Sequence, residues 1–307
     1  MVNFAPIVLF AFNRPQHLLA TLDALSSCPE AARSKLVIFC DGAKLLQDRP
    51  NVVKVQEIAC GEVRFASVTV KISNVNKGLA TSVIEGVTAL LESHERVIVL
   101  EDDMIVSPAF LKYMNTGLEF YASDSNVASI CAYMYPINPL GLPEFFFLRG
   151  ADCWGWATWR RAWSFFEPDG ATLLREIDER NLQWQFDLDD SYPYYRMLKG
   201  QIAGKNSSWA IRWHASTYLR GMVSCFPSVS LLRNIGLDGS GTHCIPTQHF
   251  QVDLQRVTAA WSFPNEAVEN VEARLRIIDF FDRLLPRWRR FIRRARKLLR
   301  QLNGHSR

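Results

Sequence analysis

Residues 97–103 read Val-Ile-Val-Leu-Glu-Asp-Asp, an apolar run that ends abruptly in three adjacent carboxylates. Four apolar residues in a row leave no wet side, so they predict a strand buried on both faces, as in a parallel sheet covered by helices. Ligands of open α/β sheets bind at the carboxyl ends of strands, and the triplet stands at such an end. Three neighbouring acids repel one another. A hard divalent cation relieves that repulsion, because Mg²⁺ and Mn²⁺ take oxygen ligands and are often held by one or two carboxylates plus substrate phosphates. The competing reading is a helix start, with acids complementing the dipole and Ser107-Pro108 opening the next helix. One acid suffices for that, so three favour a metal–nucleotide site.

The signature recurs along the first half of the chain. Short β-rich runs at 6–12, 35–40, 68–72 and 96–100 alternate with segments of helical period at 16–27, 48–60 and 79–93. This alternation predicts a doubly wound, Rossmann-like, mostly parallel central sheet with helices on both faces. Each strand exit is polar or glycine-bearing: Asn13-Arg14-Pro15, Asp41-Gly42, Asn74 followed by Asn76-Lys77-Gly78, and Glu101-Asp102-Asp103. Further on, a helix at 108–122 and a strand at 127–133 are expected. Helices near 171–186, 190–203 and 208–222 and a strand at 223–227 follow. Aromatic residues crowd the intervening stretch: Phe145-Phe146-Phe147, Trp154, Trp156, Trp159 and Trp163. Residues 234–243 form a glycine-rich loop that ends in His243.

Composition narrows the class. The 307 residues are 48% hydrophobic and 21% charged, an ordinary globular balance. No apolar run approaches the length of a membrane span, and the first residues lack the basic region of a cleaved signal peptide. The seven cysteines are odd in number and contain no CxxC pair. That pattern fits reduced thiols in a cytoplasmic compartment, not a disulfide frame or a zinc site. The net charge of +4 hides a split: residues 283–307 hold ten Arg or Lys and no acid, which leaves −6 for residues 1–282. A basic tail on a mildly acidic body points to an anionic partner, a membrane surface or a nucleic acid.

Taken in order, Asn13-Arg14-Pro15, Asp41-Gly42, Asn76-Lys77-Gly78-Leu79 and Glu101-Asp102-Asp103 resemble the motifs of nucleotide-sugar-dependent glycosyltransferases of the GT-A fold. Residues 97–113 look like the acidic-triplet region of N-acetylglucosaminyltransferase I. Trp154-Gly155-Trp156-Ala157-Thr158-Trp159 and the 234–243 loop are similar to bacterial family 2-like sugar transferases. The resemblance covers roughly residues 5–245 and implies a GT-A-type fold, with sugar transfer from a nucleoside diphosphate, usually inverting and dependent on Mn²⁺ or Mg²⁺. It also implies Asp103 as direct metal ligand, His243 as a second, and Glu101 and Asp102 on the ribose or on metal-bound water. Asn13, Arg14, Asp41, Lys77 and Gly78 become donor contacts. Each has a plainer reading: Asp41 as a turn former, Lys77 as a surface lysine beside a turn glycine, Arg14 as a charged loop residue, His243 as a structural or exposed histidine.

An inverting transfer needs a base for the acceptor hydroxyl. Related enzymes often carry an acid beside the tryptophan of a segment like Ser208-Trp209-Ala210, but position 210 is Ala. Asp152, ahead of the Trp-Gly-Trp stretch, is the first candidate, with Asp187, Asp189 and Asp190 as rivals. Trp154 and Trp156 are candidates to stack on an acceptor sugar, although tryptophans at the helix-like spacing of Trp156, Trp159 and Trp163 are more often core.

The chain is expected to divide into a transferase domain at 1–265 and a basic helical tail at 266–307. Within the domain, 1–135 would hold donor and metal and 136–250 the acceptor. In the tail, Leu284, Trp288, Phe291, Ala295, Leu298 and Leu302 form an apolar stripe among arginines that include Arg287, Arg290 and Arg294. This predicts a helix lying in a membrane interface, with docking on its own domain or a nucleic-acid arm as alternatives; the broad stripe argues against nucleic acid. The expected setting is the inner face of a bacterial cell membrane, where a peripheral enzyme builds a surface glycan on a lipid-linked or glycan acceptor. A sugar-phosphate nucleotidyltransferase is the nearest rival, disfavoured because the loop after the first strand lacks glycine. An inactive membrane-bound scaffold is the other.

Overall fold

The computed structural model describes residues 4–239, 247–254, 261–286, 288–293 and 295–296. Four parallel strands build its first half: β1 (Ile7–Ala11), β2 (Lys35–Cys40), β3 (Ser67–Ile72) and β4 (Arg96–Glu101). Helices α1 (Pro15–Ser26), α2 (Arg49–Cys60) and α3 (Leu79–Ser93) connect them. After β5 (Met104–Val106) and α4 (Phe110–Phe120) come β6 (Val127–Cys131), β7 (Phe145–Arg149) and β8 (Trp156–Trp159). Then follow α5 (Arg160–Trp163), α6 (Gly170–Glu179), α7 (Gln183–Phe186), α8 (Tyr194–Ile202) and α9 (Trp209–Leu219), and last β9 (Val223–Pro227), β10 (Leu232–Asn234) and α10 (Val271–Leu284).

The eight-stranded sheet runs β3-β2-β1-β4-β8-β6-β9-β7. It is mostly parallel and Rossmann-like, with β8 antiparallel to β4 and β6, and β7 antiparallel to β9. The apolar strands have no wet side because their alternate residues enter different cores. Ile7, Leu9, Ile98 and Leu100 pack with the α1, α2 and α4 side, whereas Val8, Phe10, Val97 and Val99 pack with α3, α5 and α9. Pro15 opens α1 at a position where its missing N–H costs nothing. Gly78, at φ +76°, lets the chain turn sharply into α3.

Trp156 and Trp159, for all their helix-like spacing, lie on strand β8; all four β8 residues are buried, since β4 and β6 flank it and both sheet faces are covered. Helix α10 packs Ala273, Ile277 and Phe281 onto Phe146, Leu148 and Phe226 of β7 and β9, so the domain's cover reaches at least Phe281.

Candidate active site

The triplet sits where β4 ends beside β1, in the register Phe10↔Glu101. Asp102 turns back toward the β1–α1 connection. Its Oδ2 accepts from the Phe12 N–H (3.2 Å) and its Oδ1 from Arg14 Nη2 (2.6 Å). The same Arg14 nitrogen donates to Asp103 Oδ2 at 2.9 Å. The Thr21 hydroxyl donates to the Asp102 carbonyl (2.8 Å) and accepts from the Met104 N–H (3.1 Å), tying α1 to this turn. Burial alone would lower the Arg14 guanidinium, but the two carboxylates hold it protonated, above its ordinary value. Both Asp102 oxygens are engaged, and Asp102 anchors the loop. Arg14 is engaged at the carboxylates too.

One guanidinium cannot neutralise three carboxylates. Burial pushes the Glu101 carboxyl up to about 8, reinforced by Asp103 and Asp102 and opposed by Arg14. Asp103 Oδ1 is buried and has no hydrogen-bond partner among the described residues. An orphaned carboxylate oxygen beside an acid that resists ionising is a place where added positive charge is favourable. The described residues contain no cluster of three potential ligands, but a cation of the Mg²⁺ type needs only one or two carboxylates when phosphate supplies the rest. The residues therefore fit a divalent ion. The chain after β10 closes over this spot: the Ile235 N–H donates to the Asp103 carbonyl (2.9 Å), and a Cβ added at Gly236 would clash with Asp103 Oδ2. Alongside, residues 233–238 and 251–253 line a cleft of about 380 Å³. His243 lies outside the described residues.

The other strand exits are self-satisfied. Asp41 Oδ1 accepts from the N–H groups of Gly42 (2.9 Å) and Lys77 (2.8 Å), and Oδ2 from Gly78 N–H (2.9 Å) and Asn76 Nδ2 (3.0 Å). Asp41 thus plays the anion at the start of α3. Its carboxylate and the amides of Lys77 and Gly78 satisfy one another. The Lys77 ammonium pairs with Glu85 at 2.7 Å, and Asn13 Nδ2 donates to Asp48 (3.1 Å) to brace its own loop.

The second acidic position reaches the same edge by topology. Because β8 runs antiparallel to β4 with Val99↔Trp156 in register, the start of β8 stands beside the end of β4. Residues 150–155 lead there across β6 and β9, held by Ser224 Oγ on the Gly150 carbonyl (2.7 Å) and Cys131 Sγ on the Asp152 carbonyl (3.5 Å). Asp152 Oδ1 accepts from the Trp154 N–H at 2.9 Å. Burial pushes this carboxyl up to about 6, against the N–H groups of Trp154 and Cys153. It borders a cavity of about 40 Å³ together with Tyr135, Leu188, Tyr194 and His214.

His214 was not foreseen: it lies on α9, a nearly fully buried helix, and nothing in the sequence separates it from a core residue. Burial lowers it to about 4, so it is neutral. Its ring stacks on Tyr194 at 4.3 Å, Nδ1 lies 3.0 Å from the Ala151 carbonyl, and Nε2 is buried without a partner among the described residues. The rival bases are committed elsewhere: Asp187 accepts from Tyr195 N–H (2.6 Å), Asp189 pairs with Arg274 (2.6 Å) and Asp190 with Arg296 (3.0 Å). Trp154 is partly exposed and packs edge-on against Tyr133 (4.7 Å). Trp156 is fully buried, stacked on Trp209 (5.4 Å) and packed beside Trp163 and Trp213. Its indole lies in the core, the alternative that its spacing also allowed.

Trp288 and Phe291 are exposed, 60% and 75%, on a helical segment at 288–293, and Arg290 is half-buried. Arg287 and Arg294 lie outside the described residues.

No family model matches this chain, and no curated protein matches it. Among solved structures it aligns with TarS of S. aureus at 15% identity and a TM-score of 0.31, over 48% of this chain and 25% of that one. A TarS fragment, residues 1–349, aligns at 12% and 0.32, over 56% of this chain and 49% of the fragment. Mannose-1-phosphate geranyltransferase from Thermus thermophilus aligns at 15% and 0.33, over 73% of this chain and 74% of that one. The chain thus spans about a quarter of TarS and half of its fragment. Overlaps of this size carry no argument about activity, which rests on the site itself.

Proposed function

We propose that this chain is a glycosyltransferase that moves a sugar from a nucleoside-diphosphate donor, a UDP-sugar in the first instance, to a glycan or lipid-linked acceptor with inversion. The observation that carries the reading is the pairing of two acidic positions along one sheet edge: Glu101 to Asp103 with Arg14, where Asp102 and Asp103 are buried, and the partly exposed Asp152 before β8. Asp103 and Glu101 are the residues that would hold Mn²⁺ or Mg²⁺, completed by donor phosphate oxygens. The ion supplies Lewis-acid stabilisation of the departing diphosphate. Arg14 holds Asp102 and Asp103 in place and adds a fixed positive charge beside that leaving group. Asp152, once deprotonated, takes the proton of the acceptor hydroxyl. The hydroxyl oxygen bonds to the anomeric carbon as its bond to the diphosphate breaks. A base of pKa about 6 is largely ionised near neutrality yet still basic enough to accept a proton. Buried, neutral His214 keeps the cavity free of a second charge that would depress Asp152.

The β1–α1 connection supports sugar transfer over nucleotidyl transfer, since Phe12, Asn13 and Arg14 supply no glycine loop and are bound to Asp102 and Asp48. No helix among the described residues is long and apolar enough to cross a membrane. Peripheral attachment to the inner face of a bacterial membrane through Trp288, Phe291 and the tail arginines belongs to the same proposal.

A thermal-shift screen of UDP-, GDP-, dTDP- and CMP-sugars, each with and without Mn²⁺, tests the donor site. A ligand at a hundredfold excess over its Kd stabilises the native state by about 2.7 kcal/mol. The expected result is a shift with one nucleotide class that grows when Mn²⁺ is present. No shift with any donor would contradict the reading.

A further inference from the structure

The acidic loop after α7 is held in a shape that its own residues disfavour. Leu188, Asp189 and Asp190 are three consecutive non-glycine residues in the left-handed region, at φ 50°, 56° and 65°. Such a run persists only where the surroundings enforce it. Three arginines do so. Arg274 of α10 forks onto the Asp189 carboxylate (2.6 and 3.2 Å). Arg293 donates to the Asp189 carbonyl (2.9 Å) and also pairs with Asp282, and Arg296 donates to Asp190 Oδ2 (3.0 Å). Two of the three belong to the helical segment at the end of the described chain.

Within that segment one arginine points inward and the large apolar residues point outward. Arg293 is buried, only 7% exposed, while Trp288, Phe291 and Ile292 face outward at 60%, 75% and 42%. An amphipathic helix on a soluble domain ordinarily does the reverse. Arg289, exposed, lies over the Trp288 ring at 5.2 Å, and residues 283–307 contain no acid. An exposed aromatic face rimmed by arginines is complementary to an anionic lipid surface.

The loop pinned from behind by Arg293 and Arg296 presses Leu188 against the cavity beside Asp152. That cavity, about 40 Å³, is narrow beside Leu188. Asp152 is itself partly exposed, so a loosened loop would widen its approach for a sugar acceptor. We propose that the 288–296 segment is a membrane-sensing latch. Insertion of Trp288 and Phe291 into an anionic lipid surface, with lipid phosphates competing for Arg296 and Arg293, frees the Leu188–Asp190 loop and opens the cavity at Asp152. The latch rests on the reading of Asp152 as the acceptor-side base.

Hydrogen exchange of the full chain tests it, read at the amides of Leu188, Asp189, Asp190 and Ser191. Vesicles of equimolar phosphatidylcholine and phosphatidylglycerol should bind the protein and speed exchange there severalfold. Pure phosphatidylcholine vesicles and soluble glycerol phosphate should not. The double variant Arg293→Gln/Arg296→Gln should exchange fast without lipid and gain little on adding it. The double variant Trp288→Ala/Phe291→Ala, which leaves the clamp intact, should keep slow exchange and lose vesicle capture. Capture with unchanged exchange at 188–191 overturns the latch and leaves membrane attachment standing. No capture overturns both, while donor binding and hydrolysis decide the transferase reading separately.

Discussion

Replacing Asp152 with Asn is expected to lower sugar transfer by about 10²–10⁴-fold, the usual contribution of a positioned general base, while donor affinity stays at the wild-type value. Asparagine matches the carboxylate in size and can still accept from the Trp154 N–H, but it cannot take a proton. The wild-type rate should rise as pH climbs through about 6 and then level off, because only the ionised carboxylate is a base; the variant should lack that limb. Stability should move the other way. The folded pKa of about 6 lies above the ordinary 3.8, so the native state binds this proton more tightly than the unfolded chain. Stability is therefore lost as pH rises from about 4 through 6, and the variant should melt higher than the wild type above pH 6. Initial rates, donor affinity and melting temperature across pH separate these effects. Wild-type turnover in the variant would transfer the role to Asp187, Asp189 or Asp190 and undo the assignment.

Replacing Asp103 with Asn should lower metal-dependent turnover by about 10²–10³-fold, the size of effect seen when one stabiliser of developing negative charge is removed. The fold should survive, because Arg14 still pairs with Asp102 and the Phe12 N–H still caps it. The loss should appear together with weakened Mn²⁺ enhancement of donor binding. Arg14 is freed of one partner, so the variant retains a cation facing the diphosphate and should keep some metal-independent donor affinity. Turnover that follows the wild-type Mn²⁺ dependence in this variant would remove Asp103 from the metal site.

How far the chain announces itself depends on how each element is buried. Strands β1, β2, β4 and β9 and helix α3 are plain in the sequence because each is an uninterrupted apolar or period-3.6 segment with a polar or glycine boundary. Gly78 and Ser93 bound α3 as expected. Strands β7 and β8 are not plain. Phe145 to Phe147 and Trp156 to Trp159 are buried on both faces, which erases the alternation that marks a strand, and tryptophans three and four apart imitate a helix. In α10 the buried positions are interleaved with Glu272, Arg274, Arg276, Asp279 and Asp282, so the helix merges with the charged tail that follows. The acidic triplet could be placed at a strand end from local pattern alone. Its pairing with Arg14 could not, since the partners are 88 positions apart in sequence. Asp41 illustrates the opposite case: a strand-end acid that looks ligand-directed is held by Gly42 and by Asn76, Lys77 and Gly78 of the neighbouring connection before α3.

The identity of the products tests the central claim most directly. The protein is incubated with Mn²⁺, the nucleotide-sugar that stabilises it most and a lipid-linked glycan primer. It should release a nucleoside diphosphate and lengthen the primer by one sugar, with the anomeric configuration inverted relative to the donor. Release of pyrophosphate from a nucleoside triphosphate and a sugar phosphate, with no nucleoside diphosphate formed from any nucleotide-sugar, would contradict the account.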